Sequence, residues 1–291
     1  MRKVKVAAIQ MSMTSDVTEN IQKADAMVRE AASKGANVVL LPELFERTYF
    51  CQERCYEYYA YATPVEENPA VKHFREVCRE LDIVMPISFY EKDINVLYNS
   101  IAMIDADGSV MGVYRKTHIP DDHYYQEKFY FTPGNTGFKV WNTKFGKIGV
   151  GICWDQWFPE TARCMAIAGA EILLYPTAIG AEPILSVDSM EHWRICMRGH
   201  AGSNMIPVVA ANRIGIEEIR PSAANGGQES SLKFFGSSFI CDERGALVED
   251  GSGDKEEVLV AEFDLDEVNE ARLGWGLFRD RRPSEYGSIT E

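Results

Sequence analysis

A disulfide framework is missing from this sequence. Its seven cysteines (Cys51, Cys55, Cys78, Cys153, Cys164, Cys196 and Cys241) are odd in number and irregular in spacing, which suits a reducing compartment better than a secreted scaffold. Apolar runs of membrane-spanning length are also missing. The first residues lead into VKVAAIQM (4–11) without the apolar core of a secretory leader, so the expected location is the cytoplasm. Positive charge is scarce: 30 Lys and Arg stand against 44 Asp and Glu, a net charge of -14. Such a surface repels nucleic acid and anionic membranes, and fits a cationic substrate or plain solubility. Basic clusters, GxGxxG and P-loop patterns do not occur, so neither nucleic acid nor nucleotide is an expected partner. The five histidines, His73, His118, His123, His192 and His200, fall at no familiar ligand spacing, and neither metal nor organic cofactor is expected.

What is present is an ordinary globular composition, 46% hydrophobic and 25% charged over 291 residues, enough to bury a large core without covalent staples. Residues 4–10 read as a short β-branched strand. Residues 16–34 read as a helix, because Val17, Ile21, Ala24, Val28 and Ala31 share one face; Asp16 or Thr18 caps its start and Gly35 suits its left-handed end. The run 38–41 has the apolar continuity of a strand covered on both faces, closed by Pro42. The same phrase, Gly-Ala-x-strand-Pro, occurs at 35–42 and 169–176, the second time after a helix over 159–168. Two units with one grammar point to two halves stacked around related sheets.

Further strands are expected at 83–90, 147–153, 206–212 and 258–263. Hairpins are expected at 99–104 with 110–115, and at 235–241 with 246–249. Helices are expected at 189–203 and 264–272, a surface loop at 222–231, and an irregular tail GWGLFRDRRPSEY. No linker divides the chain, so one α/β domain spans 1–291, with two sheets inside and helices outside.

Three polar residues stand at or just past strand ends, where active groups of α/β proteins collect. Glu43 follows VVLLP, and shelter there makes a carboxylate a serviceable base. Lys116 ends a strand in YRKTHIP, placed to hold charge developing on a substrate oxygen. Cys153 follows a glycine-rich strand in KIGVGICWDQWFPE and enters a turn, in the manner of a nucleophile elbow. The N–H of Trp154 then stands beside the sulfur as an oxyanion donor. Taken singly, each also fits a structural role: a capping glutamate, an exposed strand-end lysine, a buried inert thiol. Together they supply a base, a cation and a nucleophile, the set required to attack an amide-like carbonyl.

These segments resemble the nitrilase superfamily of carbon–nitrogen hydrolases, through LLPELF around Glu43, YRKTHIP around Lys116 and GICWDQWFPE around Cys153. The resemblance runs from VKVAAIQM to GWGLFRDRRP. It implies a four-layer α-β-β-α sandwich, two-fold subunit pairing, and a tail (265–291) that contacts other subunits in a homo-oligomer. By the same resemblance Glu43 is the general base, Lys116 stabilises the tetrahedral intermediate, Cys153 is the nucleophile, and Glu127 in YYQEKFYFTPG orients Lys116 and the substrate. The stretches HIPDDHYYQEKFYFTPG, YPTAIGAEP and EHWRICMRGHAGSN look specific to a branch acting on N-carbamoyl amines. The implied substrate is N-carbamoylputrescine, a small cation cleaved to putrescine, ammonia and carbon dioxide through a thioester on Cys153. An N-carbamoyl amino acid such as β-ureidopropionate is the rival substrate, and a catalytically silent binding subunit the rival role. The distal ammonium requires a carboxylate or an aromatic face; Glu182, Asp155 and the pair Tyr124 and Tyr125 are the candidates.

Overall fold

The computed structural model describes residues 1–181 and 188–290. The first half of the chain runs β1 (Lys3–Gln10), α1 (Val17–Ser33), β2 (Val38–Leu40), α2 (Pro69–Leu81), β3 (Met85–Asp93), β4 (Val96–Ile104) and β5 (Val110–Arg115). The second runs β6 (Val140–Thr143), β7 (Gly146–Val150), α3 (Pro159–Ile167), β8 (Ile172–Pro176), β9 (Gly180–Ala181), α4 (Met190–Asn204) and β10 (Val208–Ala211). It then continues through β11 (Ile214–Ile219), β12 (Ser230–Phe235), β13 (Phe239–Cys241), β14 (Leu247–Asp250), β15 (Glu257–Asp264) and α5 (Leu265–Trp275).

Two sheets face each other. One is β15-β1-β2 continued through a parallel bridge between Val38 and Val84 into β3-β4-β5; the other is β14-β13-β10-β8-β7-β6. In the first half, β1, α1 and β2 form a parallel βαβ unit; in the second, β7, α3 and β8 form another. The repeated Gly-Ala-x-strand-Pro phrase is therefore the crossover into an inner strand. Gly35 and Gly169 take φ of 88° and 95° to leave the helix, a region open to glycine without steric cost.

The inner faces meet in a core that includes Val6, Leu40, Ile101, Ile148, Leu174 and Val209. The outer face of the first sheet is covered by α1 and α2 through Val28, Phe74 and Val77. The outer face of the second is covered by α3 and α4 through Met165, Trp193 and Met197. This is the expected α-β-β-α sandwich.

Asp16 caps α1, accepting from the N–H groups of Thr18 and Glu19 at 2.7 and 3.1 Å. Helix α2 was not among the sequence expectations. Its buried stripe of Ala70, Val71, Phe74, Val77 and Cys78 has helical spacing, with Asn68 as cap and Pro69 in the first turn, but charged residues interrupt it throughout. The expected strand over 235–241 is broken, because Gly236 and Ser237 take φ of 58° and 51°; β12 ends before them and β13 starts after. The expected loop over 222–231 gives way to β12 at Ser230. The tail beyond Trp275 forms short helical turns at Pro283–Glu285 and Gly287–Thr290.

Candidate active site

The two crossover strands deliver the site. Beyond Pro42 and Pro176 the two halves touch, the Glu43 N–H donating to the Thr177 carbonyl at 3.3 Å. The sharpness of the turn at Glu43 shows in Leu44, whose φ is 49°. The Glu43 side chain is fully buried. Glu43 Oε1 accepts from Asn99 Nδ2 at 2.7 Å and from Lys116 Nζ at 2.8 Å, while Oε2 is buried without a partner.

Lys116 leaves β5 with its N–H bonded to the Asn99 carbonyl at 2.8 Å. Its ammonium lies between Glu43 and Glu127, 2.7 Å from Glu127 Oε2, and all three side chains are wholly shielded from solvent. Glu127 Oε1 accepts from the Tyr49 hydroxyl at 2.6 Å. Burial works against the lysine charge, but the carboxylates of Glu127 and Glu43 outweigh it and hold the ammonium well above its usual range. Burial lifts Glu127 to about 7, against the opposing pull of Lys116. Net negative charge in so dry a space is costly, and the upward shift of one carboxyl relieves it.

Cys153 opens a tight helical turn, Cys153–Trp157, with φ of 43°. A non-glycine residue held there costs about 1–3 kcal/mol and marks a position the surroundings over-determine. Burial first, then the charge of Glu43, push the thiol well above its ordinary value; Lys116 pulls the other way. Cys153 is therefore within the electrostatic reach of Glu43, Lys116 and Glu127 together. Gly149 and Gly151 serve close packing rather than the turn. A Cβ on Gly151 would lie 2.8 Å from the Tyr175 ring, and one on Gly149 2.8 Å from Met165 Sδ.

Cys153 lies in the wall of a largely apolar pocket of about 280 Å³ shared with Tyr125, Trp154, Trp157, Ile179 and His192. Of the residues expected at the substrate, Tyr125 and Trp154 are on this wall, and the Tyr125 hydroxyl accepts from the Gly180 N–H at 3.0 Å. Tyr124 lines a different, polar cleft with Glu218 and Arg220. Glu182 lies outside the described residues.

Asp155 departs from the expectation of a substrate contact. Its Oδ2 accepts from the Tyr114 hydroxyl and the Ile152 N–H at 2.7 and 2.9 Å; its Oδ1 accepts from the His118 N–H at 3.0 Å and lies 2.8 Å from His118 Nδ1. A fully buried carboxylate so engaged ties the residue before Cys153 to the loop after Lys116 and has no capacity left for a ligand. His118 is stacked on Phe158 at 3.6 Å, and His200 Nε2 lies 2.6 Å from the Gln156 carbonyl.

Two residues of this network escaped the sequence reading. Asn99 is a polar residue inside the apolar strand VLYNSIAMI, and Tyr49 sits in an aromatic-rich stretch. A buried amide in a hydrophobic strand is the signal that singles out Asn99; Tyr49 carries none without its partner.

The carbon–nitrogen hydrolase family profile matches residues 5–273. The chain belongs to the carbon–nitrogen hydrolase family, within the nitrilase superfamily. This carbon–nitrogen hydrolase is 53% identical over 285 residues to the N-carbamoylputrescine amidase of Oryza sativa subsp. japonica, covering 98% of this chain and 93% of the relative. It is also 50% identical over 290 residues to the citrullinase of Francisella tularensis subsp. tularensis, covering 99% of each. Among solved structures, the carbon–nitrogen hydrolase of Helicobacter pylori G27 superposes with a TM-score of 0.91 at 37% identity over 99% of both chains. Among the described residues no helix is long and apolar enough to cross a membrane.

Proposed function

We propose that this protein hydrolyses the ureido group of N-carbamoylputrescine to putrescine, ammonia and carbon dioxide. The observation that carries the reading is the buried array Glu43–Lys116–Glu127 together with Cys153 at the wall of an aromatic pocket. The identity to N-carbamoylputrescine amidases over nearly the whole chain supports the choice of substrate.

In this reading the Oε2 of Glu43 takes the proton from Cys153 as the sulfur attacks the ureido carbon. The ammonium of Lys116 and the N–H of Trp154 hold the oxyanion. Glu43 passes the proton to the departing ammonia, leaving an N-alkyl thiocarbamate on the sulfur. Water enters, loses a proton to Glu43 and displaces the thiol, and the released N-alkylcarbamate loses carbon dioxide to give the diamine. Glu127 and Tyr49 keep Lys116 aimed. The faces of Trp154, Trp157 and Tyr125 offer a cationic tail a favourable surface.

Citrulline is the second reading, favoured by the citrullinase relative. It carries the same ureido group at the end of a short carbon chain and the same distal ammonium, and adds only a carboxylate. Among the described residues that line the pocket there is no arginine or lysine, which weighs against β-ureidopropionate, whose sole charge is a carboxylate.

The test is ammonia release from N-carbamoylputrescine, citrulline and β-ureidopropionate by the parent and by Cys153→Ala. The expected order of kcat/KM follows that list, with Cys153→Ala inactive on all. Release by Cys153→Ala, or preference for β-ureidopropionate, overturns the reading. We also infer subunit pairing through the outer face near the tail, where Ile167, Leu273, Trp275 and Ile289 are exposed. The unpaired state of all seven cysteines supports a cytoplasmic location.

A further inference from the structure

Behind the site lies a charged pair that takes no part in the chemistry above. Arg213, between β10 and β11, is fully buried, and Glu217 nearly so. The guanidinium donates from Nε and Nη2 to the Glu43 carbonyl at 3.2 and 2.9 Å, and from Nη2 to the Leu44 carbonyl at 2.6 Å. Nη1 donates to the Arg47 carbonyl at 2.9 Å and to Glu217 Oε1 at 3.0 Å. Every N–H of the group is thereby used. Glu217 Oε2 accepts from the Tyr49 N–H, and the Tyr49 hydroxyl in turn holds Glu127. The guanidinium also lies between the rings of Tyr49 and Phe234, 5.8 and 5.7 Å from their centres.

A buried ion pair is by itself weak evidence for stability, but this one also satisfies three backbone carbonyls. What the pair provides is geometry. The turn after Pro42 presents successive carbonyls to the interior, and the planar fork of Arg213 satisfies them in one orientation that a lysine cannot reproduce.

We propose that the Arg213–Glu217 pair is the positioning device of the site, fixing Glu43 through its backbone and Glu127 through Tyr49. The inference rests on the reading that Glu43 and Glu127 serve the reaction.

Arg213→Lys and Glu217→Gln test it, with Glu43→Gln alongside. The measurements are kcat and KM for N-carbamoylputrescine, the rate of Cys153 alkylation by iodoacetamide, and the folded fraction by thermal melting. For Arg213→Lys, a displacement of about an ångström in Glu43 is expected to lower kcat ~100-fold. KM should stay within about 3-fold, and alkylation of the folded protein should quicken, because the Glu43 charge that holds the thiol high is displaced from it. The amide in Glu217→Gln still accepts from Arg213 but opposes the Tyr49 N–H, and roughly a 10-fold loss of kcat is expected. A folded Arg213→Lys with kcat within about 3-fold of the parent and unchanged alkylation overturns the inference, because a purely structural residue changes the melt and not the chemistry. If Arg213→Lys does not fold, Glu217→Gln decides by the same readouts. An active Glu43→Gln removes the underlying reading; an inactive one beside an unimpaired Arg213→Lys removes only the inference.

Discussion

Replacing Glu43 by glutamine separates the charge of the site from its shape. Glu43 Oε1 already receives Asn99 and Lys116, and the amide oxygen can keep both. The amide nitrogen then falls where Oε2 has no partner, so no hydrogen bond is broken. The buried array loses a negative charge while Lys116 keeps Glu127, but the amide leaves two buried N–H donors without an acceptor, so a loss of folding stability of about 1–3 kcal/mol is expected. In the proposed mechanism the chemistry loses more. Proton transfer by a placed side chain contributes about 10²–10⁴-fold, equivalent to roughly 3–5 kcal/mol of barrier. Because the Glu43 charge helps to hold the Cys153 thiol high, its removal lets the thiol ionise at lower pH than in the parent. The variant should therefore have a more readily ionised thiol and almost no turnover, because the missing part is the proton carrier and not the nucleophile. Ammonia release gives kcat/KM, and the pH dependence of iodoacetamide alkylation gives the thiol titration. A kcat/KM within about tenfold of the parent, or a thiol titrating at higher pH, refutes the reasoning.

Other outcomes follow from the same geometry. Asp155→Asn leaves a single carbonyl oxygen for donors that now share two, with a loss of about 1.5–3 kcal/mol per charged hydrogen bond; a lowered urea midpoint with reduced kcat is expected, and unchanged stability contradicts the hub assignment. Gly134→Ala places a Cβ 2.0 Å from the Arg115 carbonyl oxygen and 2.8 Å from that of Lys116, so turnover and melting temperature should both fall, and a parent-like melt contradicts the packing. Glu127 is raised to about 7 from 4.5, so the folded state favours its protonated form. Its contribution to stability is full below about 4.5 and is lost as pH rises through about 7. Urea midpoints compared at pH 5 and pH 8 should show a fall in the parent that is smaller in Glu127→Gln; equal slopes contradict the shift.

The sequence by itself determined the sandwich and singled out the three residues proposed for the chemistry. Helix α1, the crossovers at 35–42 and 169–176, and the run into Cys153 are local patterns of apolar spacing, glycine and proline, legible without knowing their neighbours. Glu43, Lys116 and Cys153 stand out because each places a reactive group at the end of an apolar strand, a conflict between neighbouring residues along the chain. Tertiary structure alone decided what those groups meet. Asp155, acidic and next to the elbow, reads as a substrate ligand until Tyr114, Ile152 and His118 are seen to occupy it. Asn99, Tyr49 and Arg213 acquire their roles only from partners 56, 78 and 170 positions away along the chain. Hydrogen bonds are made across space at a few ångströms, and the order of residues along the chain encodes which side chain can donate but not which acceptor folding will bring to it.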